Sequence, residues 1–224
     1  DLCYPLADHV SCAEAAMADI ICTAVHVCDK ARSYPGATLL CLGGGPIGLA
    51  VAQIALVRGF RQVFISDLSE VCRAVARQYE GIQVIDPRQT DLVTWVLDHN
   101  RGEQCAAVVD SVGSNETFNL GIRLLEESGT YINVALHETE IHFNAMHLGS
   151  ERSVLISSNS TNKDVREAYE LLNSSRLNVK PWITHHFGLA EYQKAFDLLL
   201  APLKQAFKVV FEPNIQKGIN PLPG

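Results

Sequence analysis

The sequence predicts an α/β fold: a doubly wound, parallel six-stranded sheet, followed by a C-terminal helix–strand–helix–strand extension. Three observations carry this prediction. Short apolar runs alternate with helical stretches from Thr38 to Ser157. Those runs are continuously apolar rather than alternating, the pattern of strands buried on both faces and therefore parallel. The links between them are short, which favours right-handed βαβ units.

The elements follow in order. Ser11–Ala31 has Ala-rich helical spacing and reads as a lead-in, ended by a turn at Pro35-Gly36. Strands are expected at Thr38–Leu42, Gln62–Ser66, Gln83–Ile85, Ala106–Val109, Thr130–Ala135 and Ser153–Ser157. Helices are expected at Ile47–Arg58, Ser69–Tyr79, Asp91–Asn100 and Asn115–Glu127, with a short one at Ala145–Gly149. Asp67 to Glu70 offers N-cap side chains, and Ser128-Gly129 reads as the close of the preceding helix. The uncharged run Thr38–Val57 is long enough to suggest a membrane helix. Its Gly43-Gly44-Gly45-Pro46 breaks it into a strand and a helix instead.

Beyond this region the pattern changes. Asp164–Ser174 is an amphipathic helix, Trp182–Phe187 a strand, Leu189–Leu200 a helix and Ala206–Phe211 a final strand. The resulting division is a lead-in (1–35), a main domain (36–158), a C-terminal segment (159–213) and a tail (214–224).

Composition narrows the function. The 224 residues carry a net charge of −7 and have a pI near 5.6, which argues against nucleic acid or an anionic membrane as the main partner. Seven cysteines show no C-x-x-C spacing, and none follows Cys105, so neither a zinc clamp nor a disulfide framework is expected. Reduced thiols and the lack of a signal-peptide pattern at the start point to the cytoplasm.

The informative motif is Gly43-Gly44-Gly45-Pro46-Ile47-Gly48, which satisfies G-x-G-x-x-G between an apolar strand and a helix. Gly43 permits the tight turn, Gly45 lets backbone approach a pyrophosphate, and Gly48 lets helix and strand pack closely. The helix that starts at Pro46 and Ile47 turns unpaired N–H groups toward the phosphates. Asp67 ends the next strand, 19 residues after Gly48, where a carboxylate accepts from ribose hydroxyls. That carboxylate repels a 2′-phosphate, so NAD is favoured over NADP, with Arg73 as a cation that could reach a phosphate or stack on adenine. A plain N-cap role for Asp67 is the alternative reading. The expected fold is thus of Rossmann type, with a dinucleotide as ligand.

The segment Leu42–Arg77 resembles the cofactor-binding part of medium-chain dehydrogenase/reductases, in the polyol (sorbitol) and zinc alcohol dehydrogenase branch. The similarity continues through Val108–Leu125, Gly129–Leu136, Lys180–Leu200 and Phe207–Pro213. It implies that Ser111-Val112-Gly113 forms a loop under the adenosine and nicotinamide side. It also implies that the backbone of Val134-Ala135-Leu136 holds the carboxamide, although the family usually has Gly where Ala135 stands. Thr23 matches a Thr near the nicotinamide, and Lys208 a basic residue facing the pyrophosphate. Ser157-Ser158-Asn159 departs from a stretch that more often reads Gly-Ser-Phe.

The family's catalytic zinc comes from an N-terminal domain with a Cys and a Gly-His-Glu motif, which this sequence lacks. Asp19 lies near the position of a zinc-proximal residue, yet one carboxylate makes no site. His137, His142 and His147 are spaced five apart, which on a helix spreads them around its circumference. Catalytic residues therefore remain unassigned. The resemblance implies NAD as cofactor, zinc only in a longer parent protein, and an alcohol substrate only with the missing domain. The expected role is the NAD(H)-binding portion of a truncated dehydrogenase. The alternative is a stand-alone dinucleotide-binding or interaction module without redox catalysis. Glu138–Phe143 alternates polar and apolar residues. It reads either as an edge strand that pairs with a second copy, as the resemblance implies, or as a short surface connection.

Overall fold

A computed structural model describes residues 3–136 and 140–213 of the chain. Six parallel strands form the main sheet in the order β3-β2-β1-β4-β5-β6. They are β1 (Thr38–Leu42), β2 (Gln62–Ser66), β3 (Ile82–Ile85), β4 (Cys105–Asp110), β5 (Leu125–Asn133) and β6 (Ser153–Ile156). The order reverses between β1 and β4, so a crevice opens at the carboxyl ends of these two strands.

The alternation of side chains along each strand divides the core. Leu39, Cys41, Val63 and Val109 face a layer containing α2 (Ala18–Cys28), α3 (Pro46–Val57), α4 (Glu70–Ala76) and α7 (Asn162–Asn173). Leu40, Leu42, Phe64 and Val108 face α5 (Leu92–His99) and α6 (Asn115–Arg123). Every residue of β1 and β4 is buried, as continuous apolar runs require. A short α1 (Cys12–Ala15) precedes α2, capped by Ser11 and Glu14.

Three local expectations are corrected. Helix α6 ends at Arg123 rather than Glu127, because Leu124 and Leu125 are fully buried and carry the chain into the sheet. Ser128-Gly129 therefore lies inside β5, where Ser128 adopts φ +58° and its N–H donates to Ser150 O at 2.8 Å. Between Cys105↔Leu125 and Ala107↔Thr130 the ladder shifts to absorb these extra residues. The third correction concerns β6, which is exposed along its whole length rather than buried on both faces. The stretch Ala145–Leu148 is a single 3₁₀ turn.

The C-terminal segment forms α7, β7 (Ile183–Gly188), α8 (Tyr192–Leu199) and β8 (Lys208–Glu212). Strands β7 and β8 pair in parallel as a separate two-stranded sheet. Helix α7 packs on α2, and His26 Nδ1 lies 3.0 Å from the buried Asp164 carboxylate across that seam. Around α8, Leu189, Tyr192, Phe196, Leu199, Leu200 and Leu203 are all substantially exposed.

All seven cysteines are free thiols, and Cys22, Cys28, Cys41, Cys72 and Cys105 are buried. Burial pushes the Cys28 and Cys105 thiols up to about 12. No helix among the described residues is long and apolar enough to cross a membrane. Glu138, Thr139, His137 and the tail 214–224 lie outside the described residues. The described part of the expected edge segment, Glu140 to Phe143, has no strand pairing.

Candidate functional site: a glycine cradle at the sheet crossover

The three motif glycines meet three different surroundings. Gly43 adopts φ +95°, and its N–H donates to Ser66 O at 2.8 Å, which binds the turn to the neighbouring strand. A Cβ at Gly48 would lie 2.0 Å from Gly43 O, so helix and turn touch backbone to backbone. Gly45, the N-cap of α3, instead faces open space: a Cβ there would find only Lys204 Nζ, at 3.9 Å. Pro46 supplies the pre-set φ of a first helical residue. Among the described residues, no side chain caps this helix, so its N–H groups and the positive end of its dipole stay available to an anion.

Asp67 sits at the rim of this cradle. Its Oδ2 accepts from Gly44 N at 2.7 Å, and its Oδ1 from Ser69 N at 2.6 Å. Each oxygen keeps a further lone pair, enough to accept from a vicinal diol. The N-cap alternative is therefore not the observed arrangement: Ser69 is the N-cap of α4, and Asp67 spans two loops.

A cavity of about 330 Å³ adjoins Asp67, bounded by Leu42, Gly43, Leu68, Pro87, Arg88 and Val112 among others. A larger hollow near Tyr34, Arg61 and Glu126 opens at the opposite edge, before the strands begin. Ligands of open α/β sheets bind beyond the carboxyl ends, which selects the smaller cavity.

The loop Ser111-Val112-Gly113 closes one side. It is shaped by Asp110, which is completely buried. Asp110 Oδ1 accepts from Val112 N at 2.8 Å and Gly113 N at 2.9 Å, while its Oδ2 accepts from the Tyr131 hydroxyl. Burial, reinforced by that carboxylate, pushes the Tyr131 hydroxyl far up, so it stays a donor. The loop conformation is thus fixed from beneath.

Other expected residues take varied places. Val134 N donates to Asp110 O and Ala135 N to Asn133 Oδ1, while Leu136 is exposed. Thr23 lies on α2 with its hydroxyl on Asp19 O at 3.1 Å. Lys208 begins β8, half-buried, beside Ile183. Arg73 does not line the cavity: it is buried, with Nη2 on Glu70 and on Asp86 and Nη1 on Asp67 O.

The sequence reading did not single out Lys204, Arg88, Asp110 or Gly44 for this site. Asp110 was the most legible of these, a lone acid ending an apolar strand and followed three residues later by a loop glycine. Asp86, beside Arg88, is held near 2, well below the ordinary carboxyl value, chiefly by its hydrogen bonds from Arg88. Among the described residues, no three His, Cys, Asp or Glu side chains come together to hold a metal ion. The donor set therefore does not fit zinc, whereas the open cradle at Gly45 does fit a pyrophosphate.

A family model described as zinc-binding dehydrogenase matches residues 46–174, more than half of the chain. The chain belongs to the zinc-binding dehydrogenase family. Among curated relatives, a probable D-xylulose reductase A of Aspergillus clavatus is 28% identical over 227 residues, covering 99% of this chain and 60% of that protein. This chain thus spans about three-fifths of the length of such relatives. Among solved structures, a protein described as a short chain alcohol dehydrogenase of Escherichia coli, complexed with NADH, superimposes with a TM-score of 0.84 at 20% identity. The match covers 92% of this chain and 61% of that one. A putative zinc-binding dehydrogenase of Sinorhizobium meliloti bound to NADP gives 0.83 at 22% identity, covering 94% of this chain and 62% of that one.

Proposed function

We propose that this chain is the NAD(H)-binding portion of a zinc-type alcohol or polyol dehydrogenase. The observation that carries the reading is the cradle: Gly45 opens onto free space at the uncapped start of α3, and Asp67 stands beside it. The N–H groups of α3 bind the pyrophosphate, and the Lys204 ammonium adds a positive charge beside the open face of Gly45. Asp67 takes the two adenosine ribose hydroxyls, which favours NAD over NADP because a 2′-phosphate would meet its carboxylate. The Ser111–Gly113 loop, locked by Asp110, supports the dinucleotide from the sheet side. The backbone around Val134 to Leu136 orients the carboxamide, with Thr23 nearby; Lys208 contributes longer-range positive charge.

When bound, the dinucleotide supplies a nicotinamide ring that exchanges hydride with a secondary alcohol carbon or its ketone. The residues here orient that ring; the group that polarises the alcohol belongs to a further part of the protein. The exposed apolar face around Tyr192, Phe196, Leu200 and Leu203 supports that part's presence, since a surface of this kind calls for a covering partner. Seven free thiols support a reducing cytoplasm. The exposed apolar strand β6 supports a homodimer formed at the sheet edge.

Isothermal titration of the chain with NADH and NADPH tests the reading. NADH should bind, and more tightly than NADPH, with no alcohol-dependent NADH formation by this chain alone. Absence of binding by either cofactor overturns it.

A further inference from the structure

Arg88 has no assigned role, yet it forms a wall of the cavity beside Asp67. Its guanidinium is fixed on three acceptors. Nε donates to Asp86 Oδ1 at 2.9 Å, and Nη2 donates to Asp86 Oδ2 at 2.7 Å and to Leu68 O at 2.8 Å. Asp86 is itself nearly buried and is held from behind by Arg73 Nη2 at 3.0 Å. The group therefore ties the loop after β2 to the loop after β3 and cannot swing freely. A bidentate carboxylate pair of this kind is geometrically strict.

What remains available is specific. None of the described hydrogen bonds uses Nη1, and a guanidinium pinned through its edge leaves its flat face for a ligand. Its positive charge is already matched by Asp86, so it is poorly suited as the main counter-charge of a phosphate. Two carboxylates, Asp67 and Glu116, line the same cavity and disfavour added anions there. Leu68 and Val112, both substantially exposed, supply the remaining apolar wall. Apolar side chains together with a fixed guanidinium plane match a flat, electron-rich, uncharged ring.

We propose that Arg88, clamped by Asp86 and Leu68 O, is an adenine-recognition residue of this chain, stacking its guanidinium on the purine. The inference rests on the dinucleotide reading above and refines its adenosine end. Charge alone is not the agent; the planar, clamped fork is.

The test titrates the wild type, R88A and R88K with NADH, NADPH, ADP-ribose and reduced nicotinamide mononucleotide. R88A should weaken NADH and ADP-ribose about tenfold, leave the mononucleotide unchanged, and keep the NADPH/NADH affinity ratio. R88K, which retains a cation beside Asp86 but no plane, should lose nearly as much. Full retention of affinity by R88K overturns the stacking role. So does a loss confined to NADPH, which marks a 2′-phosphate contact, and so does an equal loss for the mononucleotide, which marks a general structural defect. If the wild type binds neither NADH nor ADP-ribose, the dinucleotide reading fails and takes this inference with it. Normal binding by R88A overturns the inference alone.

Discussion

The carboxylate of Asp67 accepts the backbone N–H of Gly44 at 2.7 Å, coupling the end of β2 directly to the glycine turn that follows β1. This one bond makes the proposed ribose-binding group and the proposed phosphate-binding loop a single unit. Replacing Asp67 by Ala leaves the Gly44 and Ser69 N–H groups without their acceptor, a loss of about 1–2 kcal/mol for partly buried donors. It also removes the repulsion felt by a 2′-phosphate. D67A should therefore melt at a lower temperature, weaken NADH binding at least tenfold, and narrow the gap between NADH and NADPH. Fluorescence titration with both cofactors measures this, and an unchanged NADH/NADPH ratio would remove Asp67 from cofactor selection.

The motif glycines should separate by phenotype. At Gly45, φ is −67° and an added methyl meets only the Lys204 ammonium at 3.9 Å, so G45A should fold with an almost unchanged melting temperature. The methyl would stand where a pyrophosphate has to approach, and NADH affinity should fall tenfold or more. G48A places its methyl 2.0 Å from Gly43 O, a backbone atom that cannot step aside. It should cost about 1–3 kcal/mol of stability and lose binding as a consequence. Equal melting temperatures for the two variants would contradict this division.

This contrast also marks what the sequence could reveal. Glycine spacing after an apolar strand located the turn, and the acid 19 residues on located its partner, because both depend on local backbone requirements. Lys204 and Arg88 were invisible, since their places depend on how separate loops come together around the crevice. Arg73 was misread for the same reason: nothing local distinguishes a solvent-facing Arg from one drawn inward by Asp86 in the loop after another strand. The extent of β5 was lost because Ser128 takes a left-handed conformation that the sequence suggested for a helix end. The exposure of β6 was lost because an apolar strand at a sheet edge has the same pattern as a central one.

The Asp86 cluster should shape acid stability. Its carboxyl lies near 2 in the fold, below its ordinary 3.8, through hydrogen bonds from Arg88 and the nearby Arg73 charge. A depressed carboxyl contributes stability that is fully present above the ordinary value and is lost as pH falls toward the depressed one. The wild type should therefore lose melting temperature progressively between about pH 4 and pH 2. D86N leaves Arg73 and Arg88 without their shared counter-charge, so it should be less stable at neutral pH and show a flatter slope across that window. Parallel melting curves for the two proteins would assign the acid loss to other carboxylates.

Among the described residues, strand β6 ends the sheet and pairs only with β5, so one row of its backbone N–H and C=O groups has no neighbouring strand. Its apolar residues Val154, Leu155 and Ile156 are 37%, 38% and 71% exposed. Soluble proteins seldom leave such an edge bare, because it is a template for pairing with another chain. A second copy related by a two-fold axis satisfies both the backbone row and the apolar side chains, joining two sheets into one. Light scattering should then give twice the 24.5 kDa chain mass. Charge placed on the edge should oppose the pairing without disturbing the core, so V154K/I156K should return to the mass of one chain while keeping NADH binding. A wild type that runs as a monomer at high concentration, or a variant that stays dimeric, would move the interface away from β6.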